Sequence, residues 1–197
     1  MLTTQLFELI ENSRPLDNPK VVRLAIEGIL DYIASSLLAR SQDSAQALMR
    51  WIQDEGGHPA ALLIGHSPLV TARQAALFNG YQAHLLDYDD VHEQVRGHPS
   101  AVILSALLSQ IPLTQPDLPE LTGKRFLAAY IIGIEVMARL GEAIGDGHYR
   151  KGWHNTATLG GGCGDRGDRL FSPSTFPGPG DGDCRNPVGR LAFTFWF

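Results

Sequence analysis

The sequence predicts an all-α protein. Two observations carry that reading and a third bounds it. Between residues 19 and 41 apolar side chains return every three or four positions, the signature of a helix with one buried stripe. Later candidate helices are bracketed by Ser, Thr or Asp in front and by Gly or Pro behind, residues that start and stop helices for known backbone reasons. Neither an internal repeat nor an alternation of strand and helix patterns is visible, so a parallel sheet is not expected.

Each element can be justified in order. "TTQLFELIENSR" fits a short amphipathic helix, with Leu6 and Ile10 on one side and Phe7 at its flank, ended near Pro15. "PKVVRLAIEGILDYIASSLLARS" places Val22, Ile26, Ile29, Ile33 and Leu37 on one stripe, expected to face a core. "SQDSAQALMRWIQDEGG" opens on Ser and Asp cap candidates and closes on two glycines, which gives a helix of about ten residues. "PAALLIG" is either a small strand or an extended connection. From Ser67 to about Leu86 the pattern is helical, with Pro68 where a first turn tolerates it. "HPSAVILSALLSQI" starts another helix. "LTGKRFLAAYIIGIEVMARLGEAIG" makes a long one, with Leu127, Ile131, Ile134 and Leu140 among its apolar positions.

Size and charge exclude several roles. A chain of 197 residues is long enough for one domain, or part of a larger one, with a real core. A formal net charge of -5 with mixed signs argues against nucleic acid, which attracts a basic face. No apolar run reaches the roughly 18 residues of a membrane span, and the N-terminus lacks a basic segment followed by an apolar one. A cytoplasmic protein is expected. The two cysteines, Cys163 and Cys184, suggest neither a disulfide framework nor a metal site.

Chemistry concentrates between two helices, in "LLDYDDVHEQVRGHPS". Asp87, Asp89 and Asp90 are followed within a dozen residues by His92 and His98. A helix end, a solvated acidic turn and a new helix with Pro99 in its first turn would account for this composition without any activity. A metal would need more oxygen ligands at regular loop spacing than the segment offers, so no metal is expected. Acid–base chemistry is the third reading: an imidazole titrates near neutrality, and a nearby carboxylate fixes its tautomer. Asp87 and His98 flank a loop able to bring them together.

His154, in "GWHNTATLG", is the second candidate. Asn155 and Thr156 can cap the helix that follows, whose N-terminus attracts anions. Arg150 and Lys151 could meet a substrate carboxylate, although basic residues are common at a helix C-terminus. "GGGCGDRG" follows no strand and lacks a closing Gly-Lys-Ser/Thr, so it is not a nucleotide loop.

The segments "DYIASSLLAR", "SPLVTARQAALFNGYQAHLLDYDD", "GHPSAVILSALL" and "GWHNTATLG", in that order, resemble the N-terminal part of the MmgE/PrpD family. That family contains 2-methylcitrate dehydratases, cis-aconitate decarboxylases and iminodisuccinate epimerases. The resemblance covers about residues 5 to 160. It implies an all-helical domain accompanied by a smaller α/β lid, an active site between them, a homodimer, and chemistry that needs no metal or organic cofactor. It further implies a small di- or tricarboxylic acid as substrate, with proton transfer beside a carboxylate. By motif, Asp87 matches the first aspartate of the acidic motif, His98 the His-Pro-Ser histidine and His154 the Gly-aromatic-His histidine. Val91 departs from the pattern, since many relatives place a threonine there and a hydroxyl contact to substrate would be lost.

Residues 161–197 do not match. The resemblance divides the chain into a helical part, residues 1–160, and a Gly/Pro/Arg-rich tail, residues 161–197, that ends in "LAFTFWF". A linker or a natural polar tail would explain the glycines and prolines but not those aromatics. The genetic code offers another account. Codons permitted for "GGCGDRGDR", read one nucleotide later, allow Ala-Val-Ala-Ala-Thr-Ala-Ala-Thr, the kind of small-residue helix the family places here. "GPGDGDCRNPVGRL" treated alike allows Ala-Leu-Ala-Met-Ala-Ile-Ala-Gly-Thr-Gln-Ser-Gly-Gly-Leu. A frameshift near the codon for Gly160 is therefore expected, and the gene sequence there tests it. The lid, lysines and a tyrosine implied by the family would then be missing. A lyase-type enzyme made inactive by truncation is the expected function; a non-catalytic helical fragment or interaction module is the alternative. Apolar faces without their later partners should leave the product marginally stable and sticky.

Overall fold

The computed structural model describes residues 10, 12–111 and 122–162. The expected first helix and the tail beyond Gly162 fall largely or wholly outside this set, so the frameshift reading and both cysteines concern residues that are not described. Among the described residues a short 3-10 turn, Pro15–Asp17, precedes six helices and one two-stranded sheet. The helices are α1 (Pro19–Ala39), α2 (Asp43–Glu55), α3 (Ala72–His84), α4 (Pro99–Ser109), α5 (Gly123–Arg150) and α6 (Asn155–Gly162). The strands β1 (Ala61–Leu62) and β2 (Leu69–Val70) pair antiparallel, Ala61 opposite Val70 and Leu62 opposite Leu69. The fold is all-α, as expected.

α1 starts where Asn18 accepts hydrogen bonds from the Lys20 and Val21 N–H groups and Pro19 supplies a helical φ. Its phase differs from the sequence expectation. Ile26, Ile33 and Leu37, placed on the buried stripe, are 46%, 37% and 47% exposed, whereas Ala25, Tyr32, Ser35, Ser36 and Ala39 are buried. The small face points inward because close approach is needed there. A Cβ on Gly28 would stand 2.5 Å from the Tyr130 hydroxyl, and Tyr32 reaches α4 through a 2.6 Å hydrogen bond with Ser105. The periodicity identified the helix correctly, but bulk misassigned its inner face.

α2 ends at Gly56 in a left-handed conformation (φ 65°), as the double glycine predicts. Its N-cap is Gln42, without a side-chain cap bond, rather than Ser41 or Asp43. "PAALLIG" contains β1. β2 takes the Leu69 and Val70 positions assigned above to a helix, and α3 begins only at Ala72. The reason is a capping box: the Thr71 hydroxyl accepts the Gln74 N–H, and the Gln74 side chain returns to the Thr71 N–H. This cap outcompetes Pro68 as a start. Met49, Ile52, Ala61, Leu63, Val70, Ala75 and Phe78 form a small core between α2, the sheet and α3.

α4 is the central helix. It packs against α1, α3, α5, α6 and β1, so residues around its whole circumference are buried and no polar face is needed. Tyr130, Ile132, Val136 and Met137 are among the buried residues of α5, while Leu127, Ile131, Ile134 and Leu140 pack half-buried at the core's edge. α5 begins behind Thr122, whose hydroxyl accepts the Arg125 N–H. Gly145, at φ 58°, kinks it before its last turn. α6 then packs on α4 and α5, which brings its N-terminus to the loop before α4. No described helix is long and apolar enough to cross a membrane.

Candidate active site

The loop of residues 85–98 joins α3 to α4 and is folded back on itself. His92 and Gly97 form an isolated antiparallel bridge, and Arg96 N–H donates to His92 O at 2.7 Å. Asp87 and Arg96 both lie at positive φ, 57° and 51°, which turns the chain sharply at either end of the acidic run. Opposite the loop, α5 carries Gly141. A Cβ there would collide with the Gln94 carbonyl, so only glycine lets the loop settle this close to the helix.

Four side chains converge in the fold of this loop. His84, in the last turn of α3, places Nδ1 2.9 Å from Asp89 Oδ1. His98, the residue before α4, has Nδ1 3.4 Å from the same oxygen and Nε2 3.4 Å from Asp87 Oδ1. The two imidazole rings lie 4.2 Å apart, tilted by 49°. Their environments differ sharply. The Asp89 side chain is wholly buried, while that of Asp87 is 78% exposed at the mouth of the cluster. Candidate ligand atoms of the four residues all lie within 4.8 Å of one another, close enough to raise the question of a metal ion. A tetrahedral site with bonds of about 2.0 Å separates its ligand atoms by about 3.3 Å. The 2.9 Å between His84 and Asp89 is shorter, the length of a direct charge-assisted hydrogen bond. Hydrogen bonding therefore accounts for the spacing better than shared ligation.

Behind the cluster runs a second polar chain. Asp90 accepts from the Ser100 backbone N–H at 3.2 Å and from the Ser100 hydroxyl at 2.8 Å, which ties down the first turn of α4. The Ser100 oxygen is also 2.5 Å from the Tyr130 hydroxyl on α5. Burial pushes the Asp90 carboxyl above its ordinary range, against the pull of the Ser100 hydrogen bonds; the carboxylates of Asp89 and Asp31 add to the push. Burial likewise raises the Tyr130 phenol to about 12, so it stays a neutral hydroxyl.

Asp87 and His98 are thus brought together. His154 is placed differently: exposed at the start of α6, its Nδ1 accepts the Ala157 N–H at 3.3 Å. His154 itself therefore caps α6, and the expectation that Asn155 and Thr156 do so is corrected. Those two face the loop instead. Asn155 donates to Val95 O at 2.9 Å and the Thr156 hydroxyl accepts the His98 backbone N–H at 3.0 Å. Val91 stands on the rim, 73% exposed. Arg150 and Lys151 are exposed at the end of α5, and Arg150 faces Asp146 at 3.8 Å, which also pairs with Arg96. The sequence reading overlooked His84 and gave Asp89 no separate role. A spacing of three from His84 to Asp87 across a helix end, and the alternation of aspartates around Tyr88, were the available signals.

The helical scaffold buries one carboxylate between two imidazoles and leaves a second at the mouth, which defines a mostly helical domain with a histidine–aspartate cluster on an interhelical loop. The chain belongs to the MmgE/PrpD family, whose N-terminal domain matches residues 4–163. It is 26% identical over 163 residues to the cis-aconitate decarboxylase-like protein oryM of Aspergillus oryzae, a match covering 81% of this chain and 34% of that protein. It is 36% identical over 66 residues to a cis-aconitate decarboxylase of Mus musculus, covering 34% of this chain and 13% of that one. The chain thus spans about a third or less of the length of these relatives.

Proposed function

We propose that this chain carries the acid–base part of a cofactor-independent lyase site for a small di- or tricarboxylic acid. The observation that supports this is the two-sided setting of His98, with Nδ1 against buried Asp89 and Nε2 beside exposed Asp87. A nitrogen at the open side can take or return a proton beside a substrate carboxylate, and Asp87 can accept a hydrogen bond from a substrate hydroxyl. His154 is the candidate for a second proton-transfer group, and Arg150 and Lys151 for substrate carboxylate partners.

The second reading, a helical part without turnover of its own, rests on charge. Asp87 and Asp89 flank His98, and Arg150 is engaged with Asp146. A polyanionic substrate and its enolate need cations close by, the largest electrostatic contribution in such reactions. We therefore favour a lyase site that is inactive in this chain by itself.

Incubating the purified chain with cis-aconitate or 2-methylcitrate, and following products by proton NMR, tests this. A longer version, made by restoring the reading frame that we propose is lost near Gly160, serves as comparison. No turnover by this chain and turnover by the longer protein, lost on His98→Gln, is expected. Turnover by this chain that is lost on His98→Gln would overturn the inactivity. Failure of the longer protein on such acids would overturn the lyase reading.

A further inference from the structure

We infer that Asp89, rather than Asp87, is the carboxylate that orients His98, and that it does so while shared with His84. The inference deepens the acid–base reading above and rests on it for its catalytic meaning. Its structural content stands on the cluster alone.

Solvation separates the two aspartates. Asp87 is largely in water, where a carboxylate keeps its hydration and holds an imidazole only loosely. Asp89 has lost that hydration entirely, and a buried carboxylate without hydrogen-bond donors is costly enough that the surrounding groups must supply them. Two ring nitrogens face its Oδ1: His84 Nδ1 at 2.9 Å and His98 Nδ1 at 3.4 Å. A carboxylate oxygen can only accept, so the 2.9 Å contact has His84 donate through Nδ1–H. The His98 nitrogen is buried and makes no well-aligned hydrogen bond, so a small rotation of its ring toward Asp89 satisfies both groups at once. Catalytic hydrogen bonds are commonly this long before substrate binds.

The consequence is a defined tautomer. Asp89 holds the proton on His98 Nδ1, and Nε2 is left with its lone pair at the mouth, beside exposed Asp87. This is the division of labour in which a buried aspartate fixes a histidine and the opposite nitrogen does the chemistry. His84 completes the arrangement from the α3 side. Its ring lies 4.2 Å from that of His98, blocking rotation in one direction, and its hydrogen bond anchors the Asp89 carboxylate that both rings share. Asp89 and His84 are therefore positioning residues.

Histidine-selective ¹⁵N labelling with long-range proton–nitrogen correlation reads the tautomer directly, without substrate. In the wild-type chain His98 is expected as the Nδ1–H form. Asp89→Asn should convert it to a mixture or to the Nε2–H form, while Asp87→Asn leaves it unchanged. A wild-type His98 found as Nε2–H would overturn the inference even if Asp89→Asn fails to fold. So would a loss of the Nδ1–H form in Asp87→Asn. Equimolar zinc chloride should leave the His84 and His98 resonances in place; tight one-to-one binding that Asp89→Asn abolishes would make the cluster a metal site instead. In a frame-restored version that turns over substrate, Asp89→Asn should lower kcat at least tenfold with KM changed less than threefold. An unchanged kcat beside a confirmed tautomer would overturn the catalytic role and leave the lyase reading standing.

Discussion

The Thr156 hydroxyl accepts the backbone N–H of His98 at 3.0 Å, across 58 residues of sequence. This bond joins the first turn of α6 to the residue at the start of α4, and with the bond from Asn155 to Val95 it fastens the loop from behind. The candidate catalytic histidine is therefore held at its backbone by a segment from the far end of the described chain.

Thr156→Val keeps the shape of that side chain and removes the acceptor. The His98 N–H would be left unsatisfied, at a cost of about 1–3 kcal/mol. A urea melt should show that loss, and Thr156→Ser should restore most of it. A Val variant as stable as wild type would mean that water replaces the hydroxyl.

Gly141→Ala inserts a methyl group where the Gln94 carbonyl already sits. Backbone cannot swing away as a side chain can, so the loop or α5 must shift, at a cost of about 1–3 kcal/mol. Besides a lower Tm, faster amide exchange at Val95 and Arg96 is expected. Unchanged exchange with a lower Tm would place the strain in α5 alone.

Asp90 gives a pH signature. Its carboxyl is raised above the ordinary 3.8 in the folded protein, so the fold binds that proton more tightly than the unfolded chain does. The contribution is fully favourable below pH 3.8 and is lost as pH rises through the raised folded value. Asp90→Asn cannot ionise and should lack this loss. Denaturant melts from pH 4 to 7 (roughly the window above the ordinary carboxylate value) should show the variant gaining on wild type as pH increases. A constant difference would contradict the assignment.

The outer face of α1 should control self-association. Ile26, Leu30, Ile33 and Leu37 follow helical spacing and are all exposed, Leu30 by 61%. Leu30→Gln with Leu37→Gln should reduce light scattering at high concentration and leave the melt of the small inner face, with Tyr32 bonded to Ser105, within about 0.5 kcal/mol of wild type. Scattering that persists would direct attention to another surface.

Much of this was legible in the chain. The period of three and four gave α1, the double glycine ended α2, and the Asp-rich run before His-Pro-Ser marked the candidate site. What the sequence could not supply was phase and partnership. Gly28, Tyr32 and Ser36 are poor hydrophobic markers, yet they line the inner face of α1, because Tyr130 and Ser105 demand close approach and hydrogen bonds. β2 lies under a helical pattern because the capping box at Thr71 and Gln74, not Pro68, starts α3.

By itself the sequence determined the helical class, the family and the residues among which the chemistry must be sought. These depend on local period, backbone punctuation and motif order. The tertiary structure alone decided that Asp89 is buried while Asp87 is exposed, that His84 joins His98, and that Thr156 holds the backbone behind them. Residues two apart on one loop share composition and charge, and only packing against α3, α5 and α6 separates their solvation. Solvation in turn sets the two carboxylates apart: the buried one must take its hydrogen-bond donors from the protein, while the exposed one keeps its water.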